Sequence, residues 1–160
     1  MRSSTTSTPS EPTGAHPAPV LDSMLCFSVY RLERRIGSIY RELLAPWRLS
    51  YTQYLALIAL WQEDGIAVGR LSALLGLDSG TLSPLLKRME SRGLLLRRRA
   101  DDDERIVRVH LTAAGRRLRD ETAAVPACFA ERLGVTRPQA DALIAQVDRL
   151  GETAMKGTAS

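Results

Sequence analysis

Aromatic residues are scarce in this sequence, two Phe, four Tyr and two Trp among 160 residues, so its core must be built from Leu, Ile, Val and Ala. Cysteine is scarcer: Cys26 and Cys128 lie far apart, without the spacing of a metal or disulfide scaffold. A reducing cytoplasm is the expected compartment, where a stable structural disulfide is unusual. His16 and His110 are the two histidines, and no Cys-x-x-Cys or His-x-x-x-His pairing exists, so neither a metal nor a cofactor is expected. No apolar run approaches the roughly 20 residues of a membrane helix. Met1 to Pro19 lacks the apolar stretch of a secretory signal. What is present, 44% apolar and 25% charged residues, suits one globular domain. The net charge of +4 is a mild basic bias, compatible with nucleic acid but no proof of it.

The chain reads as a tail (1–20), a first helical segment (21–46), a central region (47–111) and a C-terminal pair of helices (112–160), all within one domain. Residues 3–19 hold four Ser, four Thr and four Pro, a composition that buries too little to offset ordering entropy, so the tail is expected to be disordered. From Leu21, the residues Leu25, Val29, Leu32, Ile36, Ile39 and Leu43 recur at spacings of four and three. That predicts a helix over about 22–45, capped by Asp22 or Ser23 and stopped by Pro46. Its stripe suits a helix from a second chain or an ordinary core. A second helix is expected from Thr52 to Glu63, with Tyr54, Leu57, Ile58 and Trp61 on one face and Gly65 at its end.

Val68–Leu75 reads as a short helix stopped by Gly76. Asp78 or Ser79 caps the next, which runs to Arg92 and ends at Gly93. Two such helices joined by a short Gly-containing turn make a helix-turn-helix. On the wheel of the second, Leu82, Leu85, Leu86 and Met89 fall together and face a core. Gly80, Ser83, Pro84, Lys87 and Ser91 lie opposite, with Thr81 and Arg88 at the margins. Small residues, hydroxyls and cations on one face suit a DNA major groove. Pro84 removes a backbone bond, so regular helix is expected to begin near Gly80 or Thr81, or its first turn to be distorted.

After Gly93 the period changes. Leu94–Arg99 and Ile106–Leu111 read as two strands of a hairpin, Val107, Val109 and Leu111 alternating with Arg108 and His110. A helix-turn-helix followed by a hairpin is a winged helix: mainly α, with a small β wing. The hairpin carries Arg97, Arg98, Arg99, Arg105 and Arg108, and its tip is placed to send Arg105 into a minor groove. The acidic run Asp101 to Glu104 argues against a simple phosphate clamp. One of these acids is expected to orient an arginine in a bidentate pair. The candidate DNA-binding residues are Ser79, Gly80, Thr81, Ser83, Pro84, Lys87, Arg88, Arg97, Arg99, Asp103 and Arg105, with double-stranded DNA as the partner.

Thr112 caps a helix expected over Ala113–Val125, which Pro126 breaks or kinks near Cys128. Pro138 opens a last helix, 138–155, with Ala140, Leu143, Ile144, Val147 and Leu150 as one stripe. The stripes of the first and last helices suggest a homodimer whose two reading units stand about one DNA turn, roughly 34 Å, apart.

In this order of elements, the stretch Asp78-Ser-Gly-Thr-Leu-Ser-Pro-Leu-Leu-Lys-Arg-Met-Glu90 and the wing Asp103-Glu-Arg105…Val109-His-Leu-Thr112 resemble the MarR family of dimeric winged-helix repressors, over about residues 21–155. Leu25-Cys26-Phe27-Ser28-Val29-Tyr30, followed by Tyr40 and Tyr51, is similar to the organic-hydroperoxide-sensing OhrR branch in its two-cysteine form. The resemblance implies that Cys26 is the peroxide-reactive thiol. It implies further that Tyr40 and Tyr51 hydrogen-bond to that thiol from the other subunit, that Tyr30 assists, and that Cys128, or else a small thiol, resolves the oxidised sulfur. Independently, Cys26 and Tyr40 share a face of one helix yet stand about 21 Å apart along its axis. A contact between them needs a second chain. Tyrosine hydroxyls donating to sulfur favour the thiolate, which is the nucleophile. The apolar neighbours Leu25 and Phe27 suit a greasy hydroperoxide, and equally an inert buried cysteine.

These readings give a repressor released from a pseudo-palindromic operator by an organic hydroperoxide. The alternatives are a MarR-type repressor answering a small aromatic ligand, a thiol peroxidase, and a protein-interaction dimer.

Overall fold

The computed structural model describes residues 20–100 and 105–157. Apart from Val20, the tail expected over 1–20 lies outside the described residues, as do the wing acids Asp101 to Glu104, Asp103 among them. The order of helices and strands is α1 (Leu25–Leu43), α2 (Tyr51–Gln62), β1 (Ile66–Ala67), α3 (Val68–Leu75), α4 (Ser79–Ser91), β2 (Leu95–Arg99), β3 (Val107–Leu111), α5 (Ala113–Glu121), α6 (Val125–Leu133) and α7 (Arg137–Gly157). The chain divides into two compact units, residues 1–35 and 36–160.

In the first unit a 3-10 turn, Leu21–Ser23, precedes α1. The helix expected from residue 22 therefore starts later, because Met24 is extended (φ −91°, ψ 120°) and its N–H goes back to Leu21. Leu25, Val29 and Leu32 are 64%, 55% and 46% exposed.

In the second unit, Pro46 lies in a 3-10 turn, Ala45–Trp47, that separates α1 from α2. Ser50 opens α2 through a capping box: its hydroxyl accepts from the Gln53 N–H at 3.2 Å, while Gln53 Oε1 accepts from the Ser50 N–H at 3.0 Å. The helix is buried beyond the single expected face, through Gln53, Ala56, Ala59 and Leu60 as well as Tyr54 and Leu57. Gly65 stands past its end, with φ +80°. The Gly65 N–H reaches the Val109 carbonyl at 3.0 Å and turns the chain into β1, a strand missing from the sequence reading. β1 pairs antiparallel with β3 (Ile66 opposite Val109), and β3 pairs with β2 along its length (Leu95 opposite Leu111, Arg99 opposite Val107), giving the order β1-β3-β2.

Gly76, at φ +62°, stops α3 as expected. The Asp78 carboxylate accepts from the Thr81 N–H at 2.9 Å and starts α4 at Ser79. The helix then runs unbroken through Pro84, starting at Ser79, one residue before the start expected near Gly80 or Thr81. The N–H that Pro84 lacks would have gone to the Gly80 carbonyl, on the exposed face, where the loss is cheapest. Leu82, Leu85, Leu86 and Met89 are buried, packing with Leu57, Leu60, Ile66, Leu71, Leu95, Val109 and Leu111 in one core.

The helix expected over Ala113–Val125 ends at Glu121 and a separate helix, α6, begins at Val125, so the break expected from Pro126 near Cys128 falls just before the proline. Without an N–H, Pro126 cannot bond the Thr122 carbonyl as a continuous helix requires. That carbonyl takes the Val125 N–H instead, at 3.0 Å, and the buried Thr122 hydroxyl donates to Leu118 at 2.7 Å. Pro126 then occupies the first turn of α6.

Asp64 knits α2, β3 and α5 together. Its carboxylate accepts from the Leu111 N–H at 2.8 Å and pairs with Arg116, with His110 Nδ1 at 4.0 Å. Partial burial pushes its carboxyl up, but the Leu111 N–H, Arg116 and His110 together hold it below the usual carboxylate range. A depressed folded value means that its stabilisation is present above the ordinary carboxylate value, about 3.9, and is lost as pH falls through the folded one. Asp64→Asn is therefore expected to lower stability at neutral pH by about 1 kcal/mol, discounted for a partly exposed pair. In urea unfolding the mutant and wild type should converge as the pH falls well below the ordinary carboxylate value; a gap that persists there would show that charge is not the cause.

Candidate functional site

The candidate site residues form two sets of side chains in the second unit and one pair in the first. The first set is the outer face of α4 with the wing. Ser79, Gly80, Thr81, Ser83, Pro84, Lys87 and Arg88 are all exposed, opposite the buried leucines. Their hydroxyls are not equivalent. Thr81 Oγ1 donates to the Asp78 carboxylate at 3.0 Å, so toward a ligand it offers acceptor lone pairs. Its N–H and hydroxyl in turn hold the Asp78 carboxyl below the usual range.

In the wing, Arg97, Arg99 and Arg105 are exposed. The arginine-orienting acid expected from Asp101 to Glu104 falls outside the described residues, but Glu90 of α4 supplies such a pairing. Arg97 Nε and one terminal nitrogen donate to Glu90 Oε2 at 3.0 and 2.8 Å, and the Arg97 backbone N–H donates to Oε1 at 2.9 Å. The Arg97 side chain first, then that N–H, hold the Glu90 carboxyl below its ordinary value. Helix α4 and the wing are thus fixed to one another by a charge-assisted clamp. Arg108 is used inwardly, donating to the Gly65 carbonyl at 3.2 Å. A cleft of about 520 Å³ lies beside the clamp, lined by Val68, Ser83, Leu86, Arg97 and Arg105 among others.

The second set is aromatic. Tyr40 of α1 stacks on Tyr51 of α2 with ring centroids 4.1 Å apart and planes 20° from parallel. It stacks on Phe129 of α6 at 4.5 Å and 17°. Tyr54 lies 6.2 Å from Tyr40 and meets Trp61 edge-on at 6.0 Å. Burial, then the neighbouring Tyr51 and Tyr54 hydroxyls, push the Tyr40 phenol up to about 12. Burial raises Tyr51 and Tyr54 as well, and for Tyr54 a hydrogen bond with the Thr122 hydroxyl opposes it. All three phenols stay protonated near neutral pH and keep a proton to donate. Cys128 is half-buried on α6, beside Phe129.

The first unit holds Cys26 and Tyr30, one helical turn apart on α1. Cys26 is exposed. The Tyr30 ring lies 6.4 Å from Phe27 and under the Arg34 guanidinium at 5.8 Å. Arg34 donates to the Tyr30 oxygen at 3.5 Å, which leaves the Tyr30 proton for another acceptor.

Glu90, Tyr54 and Phe129 were missed in the sequence. Tyr54 carried a signal, since it lies one turn beyond Tyr51 on the same helix. Phe129, next to a singled-out cysteine in a chain with two Phe, carried a weaker one. Glu90 carried none.

A recognition helix packed on a three-stranded antiparallel sheet, with an arginine-rich wing clamped to it, defines a winged helix-turn-helix protein. A family model described as the transcriptional regulator SarA/Rot matches residues 38–122. The chain belongs to the winged-helix transcription regulators of the SarA/Rot and MarR type. It is 43% identical over 132 residues to the HTH-type transcriptional regulator TtmR of Methylorubrum extorquens (strain PA1), a match spanning 82% of this chain and 68% of that one. It is 42% identical over 106 residues to the organic hydroperoxide resistance transcriptional regulator of Bacillus subtilis (strain 168), spanning 66% and 72%. Among solved structures it is similar to reduced AbfR bound to DNA, with a TM-score of 0.71 and 26% identity over 84% of this chain and 93% of that one. No helix among the described residues is long and apolar enough to cross a membrane.

Proposed function

We propose that this protein is a homodimeric repressor that binds a pseudo-palindromic operator while reduced and releases it when an organic hydroperoxide oxidises Cys26. The observation that carries the reading is an exposed Cys26 at the start of α1 in a chain 42% identical over 106 residues to a regulator named for organic hydroperoxide resistance. The outer face of α4 enters the major groove through Ser79, Gly80, Thr81, Ser83, Pro84, Lys87 and Arg88. The wing, with Arg97, Arg99, Asp103 and Arg105, lies along the minor groove. The Glu90 clamp on Arg97 supports this geometry, because it makes helix and wing one rigid reading head.

Dimerisation is supported by the bare apolar residues Leu25, Val29 and Leu32 on α1, and by Leu143, Ile144, Val147 and Leu150 on α7, each between 46% and 64% exposed. In the dimer the Cys26 sulfur of one chain receives hydrogen bonds from Tyr40 and Tyr51 of the other, with Tyr30 assisting. The thiolate attacks the terminal oxygen of R–O–OH, and the O–O bond breaks. The departing alkoxide takes a proton and leaves as ROH, and Cys26 becomes a sulfenic acid. The Cys128 thiol then attacks that sulfur, expelling water and leaving a disulfide between subunits. The oxidised sulfur no longer accepts the tyrosine hydrogen bonds, and the dimer repacks with its two reading heads at a changed separation.

Cys26→Ser is expected to bind operator DNA as the wild type does and to stay bound when an organic hydroperoxide is added, in electrophoretic mobility-shift titrations. Release of that variant by peroxide would sink the sensor assignment. The cleft of about 520 Å³ beside Arg97 favours a second reading, release by a small aromatic acid. That mechanism would act equally on the wild type and on Cys26→Ser, without peroxide.

A further inference from the structure

We propose that Phe129 is a positioning residue for the sensing thiol: its ring pins Tyr40 from the side opposite Tyr51, and so fixes where the Tyr40 hydroxyl stands. The proposal rests on the reading that Tyr40 donates to Cys26 across the dimer.

The stacking distances require this arrangement. Tyr51 and Phe129 lie 4.1 and 4.5 Å from the same ring, both nearly parallel to it. Two rings at those distances cannot share one face without overlapping, so each takes its own. A phenol held on both faces keeps only motion within its plane, so its oxygen stays in place and the O–H is left the two directions that lie in that plane. Helix α6 is itself tied to the stretch of α1 that bears Tyr40, since Arg132, one turn beyond Phe129, pairs with Glu42 at 2.6 Å. The pin is therefore attached to what it pins. A thiolate gains from a hydroxyl only when the donor points at the sulfur before the charge appears; a rotating donor gives up part of that advantage as ordering entropy.

Phe129 lies on α6, outside α4 and the wing, so the test reads the thiol. In a Cys128→Ser background, where alkylation reports Cys26 alone, iodoacetamide rates are measured at about pH 6 and about pH 10. Phe129→Leu keeps the apolar volume but removes the flat face. Its rate at pH 6 is expected to fall about tenfold, the worth of a weakened hydrogen bond to a charged group. At pH 10 the rate should not fall below that of the parent, because a less stabilised thiolate is the more nucleophilic one. Phe129→Tyr should restore the parent rate at both values. A general loosening of the fold would move both rates together and would overturn the proposal. So would a Phe129→Leu rate at pH 6 equal to the parent's while Tyr40→Phe lowers it. If Tyr40→Phe itself leaves that rate unchanged, the tyrosine–thiolate reading fails and takes the role of Phe129 with it. Should Phe129→Leu show no cooperative melting, Phe129→Met carries the same comparison.

Discussion

Gly115→Ala is expected to destabilise the second unit by about 3 kcal/mol or more, and Gly115→Val to abolish its cooperative folding. Gly115 sits in the first turn of α5, and a Cβ there would stand 2.1 Å from the Leu94 carbonyl oxygen and 3.0 Å from Leu111 Cδ2. The obstacle is backbone, not a side chain that can turn aside. That carbonyl also accepts the Thr112 N–H at 3.1 Å. Thr112 in turn caps α5 by accepting the Gly115 N–H at 3.1 Å and donates its own hydroxyl to Gly93 at 2.6 Å. The Gly115 carbonyl accepts from the Trp61 indole at 3.0 Å. Moving α5 away by the ångström or so that a methyl needs would stretch each of these bonds. Gly151→Ala on α7, where a Cβ meets nothing within 4 Å, is the control. It should leave stability unchanged or raise it by about 0.5–1 kcal/mol through helix propensity. Thermal melts of the two variants settle the matter, and equal melting temperatures would refute the crowding argument.

Elements legible in the sequence were those whose signals are local. Asp78, Gly76 and the spacing of Leu82, Leu85, Leu86 and Met89 are read within a few residues of one another, and α3 and α4 appear where they mark them. The alternation Val107, Val109, Leu111 likewise marks β3, separated from its partner β2 by the seven residues 100–106. β1 was invisible because two residues cannot show a period; its existence depends on Gly65 turning the chain toward Val109. Pro126 was recognised as a helix breaker, but its effect falls on the carbonyl four residues earlier, so the break appears at Thr122 to Ala124. The reading face was legible because it is one side of one helix. The Tyr40 stack was legible only by its cysteine-linked tyrosines. Its other members, Tyr54 and Phe129, come from α2 and α6; Tyr51 and Cys128 beside them point to the site, but that the rings meet depends on contacts between helices far apart in sequence.

Lys87→Glu is expected to weaken operator binding by on the order of a hundredfold at moderate salt, with little change in folding. Lys87 is an exposed cation on the outer face of α4, across the helix from the buried Leu82, Leu85 and Leu86. Two effects add. The lost cation removes one neutralised phosphate, which should flatten the slope of log affinity against log salt by about 0.9. The new carboxylate stands against the phosphates and is repelled, so the loss exceeds that of Lys87→Ala, which removes the attraction alone. Net charge changes identically in Arg117→Glu, on the exposed side of α5. That variant should lose only the weak long-range part of the attraction, which salt screens within about 10 Å. The pair of variants therefore separates contact from field. A steep loss confined to Lys87 places α4 at the phosphates, whereas equal losses in both variants would mean that the chain holds DNA through its overall charge and that α4 is not the reading helix.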